Sequence, residues 1–191
     1  MSETVWRQLE QYRMVKTLPG GLRVLIRPLT KDDKEQLIAL FRDASDDDVE
    51  YFRSDVRDET LVANWVDMLD LRNVFPLVAV AEDQIIGDAT LHLGKRYNRH
   101  VAWVRIYLAR EYRRLGVGTL LLQCLIDVGR RMGLQQLIAE IVCNQVQAIK
   151  AFESLGFVQE YTHRDFFLHR HDDALDMNVL VLRLAEPAGK F

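Results

Sequence analysis

The sequence predicts an α/β (α+β) domain, one mixed sheet flanked by helices, and three observations predict it. Early helical patterns give way to antiparallel strand patterns and then to two strand-to-helix crossovers. The 191 residues are 49 % apolar and 28 % charged, which suits one globular unit with a full core and leaves no room for a second. The third is Ile106 to Met132, where a short apolar strand runs through two arginines and a Gly-x-Gly turn into an amphipathic helix.

Taken in order, Thr4 to Lys16 carries Val5, Trp6, Leu9 and Tyr12 at loosely helical spacing ahead of Pro19-Gly20-Gly21. Residues 1–19 are therefore expected as a helical extension, 20–186 as the domain and 187–191 as a tail. Leu22 to Pro28 reads as the first strand. Thr30 can cap a helix from Lys31 to Arg42, with Asp32 and Asp33 in its first turn and Leu37, Leu40 and Phe41 on its apolar face.

Asp46, Asp47 and Asp48 read as a solvated acidic loop or a helix start rather than a cation site, because no spaced carboxylate pattern follows. Leu61, Trp65, Met68, Leu69 and Leu71 mark a second helix. Leu77 to Ala81 and Ile85 to Leu93 form a hairpin across Glu82-Asp83-Gln84. After a polar turn from Arg96 to His100, Val101 to Ala109 is the central strand and Gln135 to Val142 the next. A helix then runs to Gly156, and strands at Phe166-Phe167 and Val179 to Leu184 close the fold around a charged loop at His169 to Asp176.

The net charge of −3 argues against nucleic acid, whose binders usually carry a basic face. No run reaches the ~18 apolar residues a membrane span needs, and no export pattern appears, so a cytoplasmic, membrane-free location is expected. Cys124 and Cys143 lie in apolar helix and strand patterns and read as buried thiols. His169-Arg170-His171-Asp172 is a weak metal signal, and no metal is expected.

The central stretch carries chemistry. Val117, Leu121, Cys124, Leu125, Val128 and Met132 form one helical stripe, so the helix begins close to Gly116. The first amides of a helix lack partners within it, and its dipole adds positive charge there. Gly116 and Gly118 let a ligand approach the backbone, and Arg113 and Arg114 add permanent cations, a pattern suited to a phosphate or pyrophosphate. A nicotinamide-type loop would need glycine where Leu121 stands, and no Walker loop is present. An ordinary strand-to-helix turn with solvated arginines is the alternative.

Arg113-Arg114-Leu115-Gly116-Val117-Gly118 resembles the R/Q-x-x-G-x-G/A signature of the GCN5-related N-acetyltransferase (GNAT) superfamily. Ala148 to Phe157, AIKAFESLGF, resembles that family's A-I-x-x-Y/F-E-x-L-G-F segment, at a fitting distance. The resemblance covers roughly residues 22 to 184. It implies a mixed, mostly antiparallel sheet of about seven strands with about four helices. It also implies acetyl-CoA as co-substrate and an amine acceptor, small molecule or protein, and makes a homodimer plausible. It places acceptor choice in residues 43 to 72.

By resemblance, pantetheine would lie along the backbone of Tyr107, Leu108 and Ala109, and the amides from Arg114 to Thr119, Leu115, Val117 and Gly118 among them, would hold the pyrophosphate. Leu108 would supply the oxyanion amide. Phe152 stands where many members have a proton-donating tyrosine, which leaves water, Tyr161 or Tyr107 as donors and the Phe152 ring as packing for the cofactor tail. Glu140 resembles the basic glutamate of ribosomal-protein N-terminal acetyltransferases; Trp103 occupies a position where other members have a glutamate. Asp88, His92 and His100 are further base candidates. Gln145, one residue after Asn144, matches a cofactor-contacting asparagine. The expected activity is N-acetyl transfer by direct attack of an amine on the thioester; the alternative is a catalytically weak acyl-CoA-binding sensor.

Overall fold

A computed structural model describes residues 3–168 and 173–184. Eight strands form one sheet in the order β1-β2-β3-β4-β5-β6-β8-β7 among these residues. They are β1 (Met14–Thr17), β2 (Arg23–Pro28), β3 (Val74–Ala81), β4 (Gln84–Leu93), β5 (Val101–Leu108), β6 (Gln136–Val142), β7 (Val158–Leu168) and β8 (Ala174–Arg183). Neighbours are antiparallel except β5 and β6, which are parallel. The helices are α1 (Glu3–Glu10), α2 (Lys34–Arg42), α3 (Asp46–Val49), α4 (Glu59–Asp67), α5 (Val117–Arg131) and α6 (Val146–Ser154). The predicted class holds, with one strand and two helices more than the expected count.

The sheet separates two cores. One joins Trp6 and Leu9 of α1, the α5 stripe and Phe152 of α6 to Ile26, Phe75, Leu91 and Leu137. The other joins Leu37 and Phe41 of α2 and Val62 and Val66 of α4 to Val78 and Tyr107. A sheet buried on both faces explains the nearly continuous apolar run of β3.

Three expectations are corrected. The helix predicted from Thr4 to Lys16 ends at Glu10, and Met14–Thr17 instead pairs with β2 as the edge strand. This strand is exposed at every position, so it carries no alternation that a sequence reading could detect. In α4 the buried positions are Val62 and Val66, while Trp65 is 41 % and Met68 83 % exposed, so the inward stripe is not the one predicted. The helix expected from Lys31 begins with a 3-10 turn, Lys31–Asp33, before α2. The β3–β4 hairpin turns on two residues, Glu82 and Asp83, both at positive φ, as a tight hairpin with right-handed twist requires.

Asp33 is 4 % exposed and fully engaged: Arg27 grips it with two bonds of 2.6 and 2.7 Å, and the Thr30 amide donates to Oδ2 at 2.8 Å. Burial would push its carboxyl up, but these donors more than offset that and hold it below the usual range. Cys124 is buried and Cys143 half-buried, both as free thiols. No described helix is long and apolar enough to cross a membrane. His169 to Asp172, raised as a weak metal signal, lies outside the described residues.

Candidate active site

The parallel pairing of β5 with β6 lasts only for Val101, Ala102 and Trp103 against Gln136, Leu137 and Ile138. Beyond it β6 stays paired to β8 through Val142 and β5 stays paired to β4 through Leu108, so the two strands part and leave a notch in the sheet. Backbone groups of β5 along this notch have lost their strand partner. Apart from the Leu108 carbonyl, which accepts from Arg113 Nε at 3.0 Å, they are open to an extended ligand, because an unpaired sheet edge is a hydrogen-bonding template.

Alternation decides which residues offer them. The Ala109 amide donates to the Ile86 carbonyl at 3.0 Å, on the β4 side. The Leu108 amide is therefore turned the other way, toward the notch, and the Tyr107 amide toward β4. Of the three backbones predicted to line a pantetheine, Leu108 has its amide on the notch side.

Past the notch, α5 begins. Gly116 caps it at φ 88°, in the left-handed region, and Arg114 at φ 63° is also left-handed and exposed. Val117 is buried, while Gly118 and Thr119 are half-buried at the first turn. A Cβ on Gly118 would come within 3.1 Å of Leu108 Cδ1, so that glycine lets the helix start sit against β5. Leu115 is 44 % exposed. Free first-turn amides, a glycine opening and Arg114 together suit a pyrophosphate.

Arg113 is engaged differently. Its Nε donates to the Leu108 carbonyl at 3.0 Å, its guanidinium pairs with Asp48 at 2.9 Å, and it lies 5.6 Å from the centre of the Tyr107 ring. Asp48 is half-buried, and that partial burial by itself would raise its pKa, yet Arg113 and Ser45 hold it low. The sequence pattern groups Arg113 with Arg114 as phosphate ligands; the fold turns Arg113 inward.

Asp48 belongs to a segment that spans the notch. Phe52 packs edge-on against Tyr107 of β5 at 5.5 Å, and Arg53 pairs with Glu140 of β6 at 3.1 Å. Tyr51 stacks on Phe167 of β7 at 5.6 Å and accepts a bond from Asn144 Nδ2 at 2.9 Å. None of these partners was predicted, and none carries a local signal, since the Arg53 and Tyr51 bonds join residues 87 and 93 positions apart.

The remaining candidates are placed as follows. Glu140 lies on the α2/α4 face, engaged by Arg53. Phe152 is 3 % exposed and packed edge-on against Phe157 at 4.9 Å, in the core rather than on the notch surface. Gln145 stands at the N-cap position of α6 with a half-buried side chain that makes no capping bond. Tyr107 is buried, and burial raises its hydroxyl; Tyr161 is 52 % exposed on β7. His92 is pushed down to about 4, first by burial and then by Arg105 and Arg53, so its imidazole is neutral at pH 7. His100 accepts two backbone bonds, from Gln135 and Gln136, and serves the turn. Asp88 is pushed up to about 7 by burial.

The family model described as the acetyltransferase (GNAT) family matches residues 37–157. N-alpha-acetyltransferase 30 of Schizosaccharomyces pombe is 28 % identical over 102 residues, which are 51 % of this chain and 67 % of that protein. The ribosomal-protein-alanine N-acetyltransferase of Brucella melitensis superposes with a TM-score of 0.73 at 25 % identity, over 83 % of this chain and 98 % of that one. The yncA protein of Salmonella typhimurium, whose structure contains acetyl-CoA, superposes at 0.74 with 23 % identity, over 87 % and 96 %. With the family match covering more than half of the chain, and with the parted strands leading into a glycine-opened helix, this protein belongs to the GNAT acetyltransferase family.

Proposed function

We propose that the protein is an acetyl-CoA-dependent N-acetyltransferase that moves the acetyl group to a primary amine by direct attack on the thioester. The separation of β5 from β6 after three residue pairs, beside the free amides of α5, carries the reading. The residues fit an acetyl-CoA: the open β5 edge suits an extended amide-bearing arm, and Gly116, Gly118 and Arg114 suit its pyrophosphate. When bound, acetyl-CoA supplies the activated thioester.

In this reading Tyr107, Leu108 and Ala109 flank the arm, and the Leu108 amide faces the developing oxyanion. One preorganised donor of that kind is worth about 3 kcal/mol of barrier. Amides from Arg114 to Thr119 hold the phosphates, with Gln145 near the cofactor tail; Phe152, expected there too, packs in the core and can shape that end only through its neighbours. Glu140 and Asp88 are carboxylates on the α2/α4 face, where the amine would arrive. Since Phe152 cannot donate a proton, Tyr161, Tyr107 or water protonates the departing thiolate. Acetyl-CoA supply makes the cytoplasm the working compartment. The two relatives named for N-terminal α-amines make a peptide N-terminus the first acceptor to try.

The test is release of CoA thiol from acetyl-CoA by the purified protein with pooled N-terminal peptides, lysine peptides and polyamines, with Glu140→Gln run alongside. Release with one pool and not the others is the expected result. Acetyl-CoA binding by calorimetry without release from any pool would favour the second reading, a cofactor sensor, which the core position of Phe152 supports.

A further inference from the structure

We propose that Asp88 is the proton acceptor for the incoming amine and that Thr90 forms with it the polar floor on which that amine is seated. This rests on the acetyltransferase reading above. Alternation along β4 turns Asp88, Thr90 and His92 to the α2/α4 face, in register with Tyr107, Arg105 and Trp103 of β5. Asp88 is therefore directly opposite Tyr107, one register position from Leu108, whose amide faces the notch on the far side of β5.

Two polar atoms on this floor, Asp88 Oδ1 and Thr90 Oγ1, are buried without any hydrogen-bond partner. Such atoms are rare in folded chains, because each forfeits its bonds to water. The contrast with Asp33 is direct. Where this chain buries a carboxylate for structure it supplies Arg27 and the amide and hydroxyl of Thr30. Asp88 is given nothing, and its residue is not fully sealed from solvent. An acceptor carboxylate and a hydroxyl, adjacent and unpartnered, match the N–H donors of an ammonium.

The other candidates are less suited. Glu140 is engaged by Arg53, and a histidine pushed down to about 4, as His92 is, takes a proton poorly at neutral pH. Burial alone pushes Asp88 up to about 7, close to the working pH where a base is most effective. The titratable and charged groups on this face are Tyr107 and Arg105 of β5, His92 of β4 and the Arg53–Glu140 pair, with Arg113 and Asp48 beyond the Tyr107 ring; none of them contributes to that shift.

The step balances. The Asp88 carboxylate takes one proton from the substrate ammonium, and the freed nitrogen lone pair attacks the thioester carbonyl carbon. The C–N bond forms and the C–S bond breaks with its electron pair leaving on sulfur. A second amine proton ends on the CoA thiolate, and Asp88 returns its own proton to solvent.

Asp88→Asn keeps the shape and removes the base. With the acceptor pool that supports wild-type release, it is expected to lower kcat/KM about 100-fold or more, to keep acetyl-CoA affinity by calorimetry, and to lose the limb of the pH profile centred near 7 that burial gives the wild type. Formate added to Asp88→Ala is expected to recover part of the rate, and thermal melting checks that both variants fold. Wild-type turnover that Asp88→Asn leaves unchanged, with the limb near 7 intact, would overturn the role of Asp88 and leave the acetyltransferase reading standing. Absence of wild-type turnover with every pool would overturn both.

Discussion

At the scale of single residues, the two carboxylates set into the protein interior, Asp33 and Asp88, have opposite electrostatics. Asp33 is held low by its donors, whereas Asp88 is raised from 3.8 to about 7 by burial. Between those two values the native Asp88 binds a proton that the unfolded chain releases, so its contribution to stability falls as pH rises through that window. The shift of about 3 units corresponds to at most ~4 kcal/mol, present in full above pH 7. Asp88→Asn removes that cost. The variant is expected to melt several degrees above the wild type at pH 8 and within about 2 °C of it at pH 4. Asp33 also titrates, losing its contribution as pH falls, but it is common to both proteins and drops out of the difference. Equal melting temperatures at pH 8 would mean that Asp88 has a partner in solution. A residue kept at such a cost to stability is what a site requires rather than what folding selects.

At the scale of elements, α5 was the most legible part of the sequence and β1 the least, for physical reasons. The α5 stripe repeats over four turns, all its predicted positions are buried, and glycine at its start is a local signal. Strand β1 has four exposed residues and owes its existence to β2. The α4 stripe was misread because Leu61, Trp65 and Met68 have a helical spacing as good as that of Val62 and Val66, and only the tertiary partner chooses between them. The site divides the same way: the loop from Arg114 to Thr119 announces itself, but the inward turn of Arg113 toward Asp48 does not. The start of α5 gives a clean experiment. Gly116→Glu places a carboxylate in the phosphate site and is expected to weaken CoA binding by about 30-fold, since like charges that close cost roughly 2 kcal/mol or more. Gly133, just beyond the other end of α5, has a similar positive φ of 72° with open space around it. Gly133→Glu therefore incurs a comparable backbone cost and should leave CoA affinity intact by calorimetry. An equal loss in both variants would trace the effect to helix strain rather than to the anion site.

At the scale of the whole molecule, the notch opens the sheet between β5 and β6, and residues 48 to 53 reach across it to both arms. The two sides are unequally held. Toward β5, Phe52 packs on Phe41 and Tyr107, and nearby Val56 is buried to 1 % exposure. Toward β6 and β7 the ties include the Arg53–Glu140 pair, in which Arg53 is 72 % exposed, and the Tyr51 stack with its bond from Asn144. An exposed ion pair contributes about 0–1 kcal/mol and an aromatic pair about 0.5–1.5. The segment should thus detach from the β6 arm far more easily than from the β5 arm, opening the notch from one side while the fold stays intact. Cutting these two weak ties with Tyr51→Ala and Arg53→Ala together removes on the order of 1.4 kcal/mol, a tenfold change in a local opening equilibrium. Hydrogen exchange is expected to quicken about tenfold at residues 49 to 54 while β5, β6 and α5 keep their protection and the melting temperature moves by only a few degrees. If exchange in the segment were unchanged, the β5-side packing of Phe52 and Val56 would be what holds it closed.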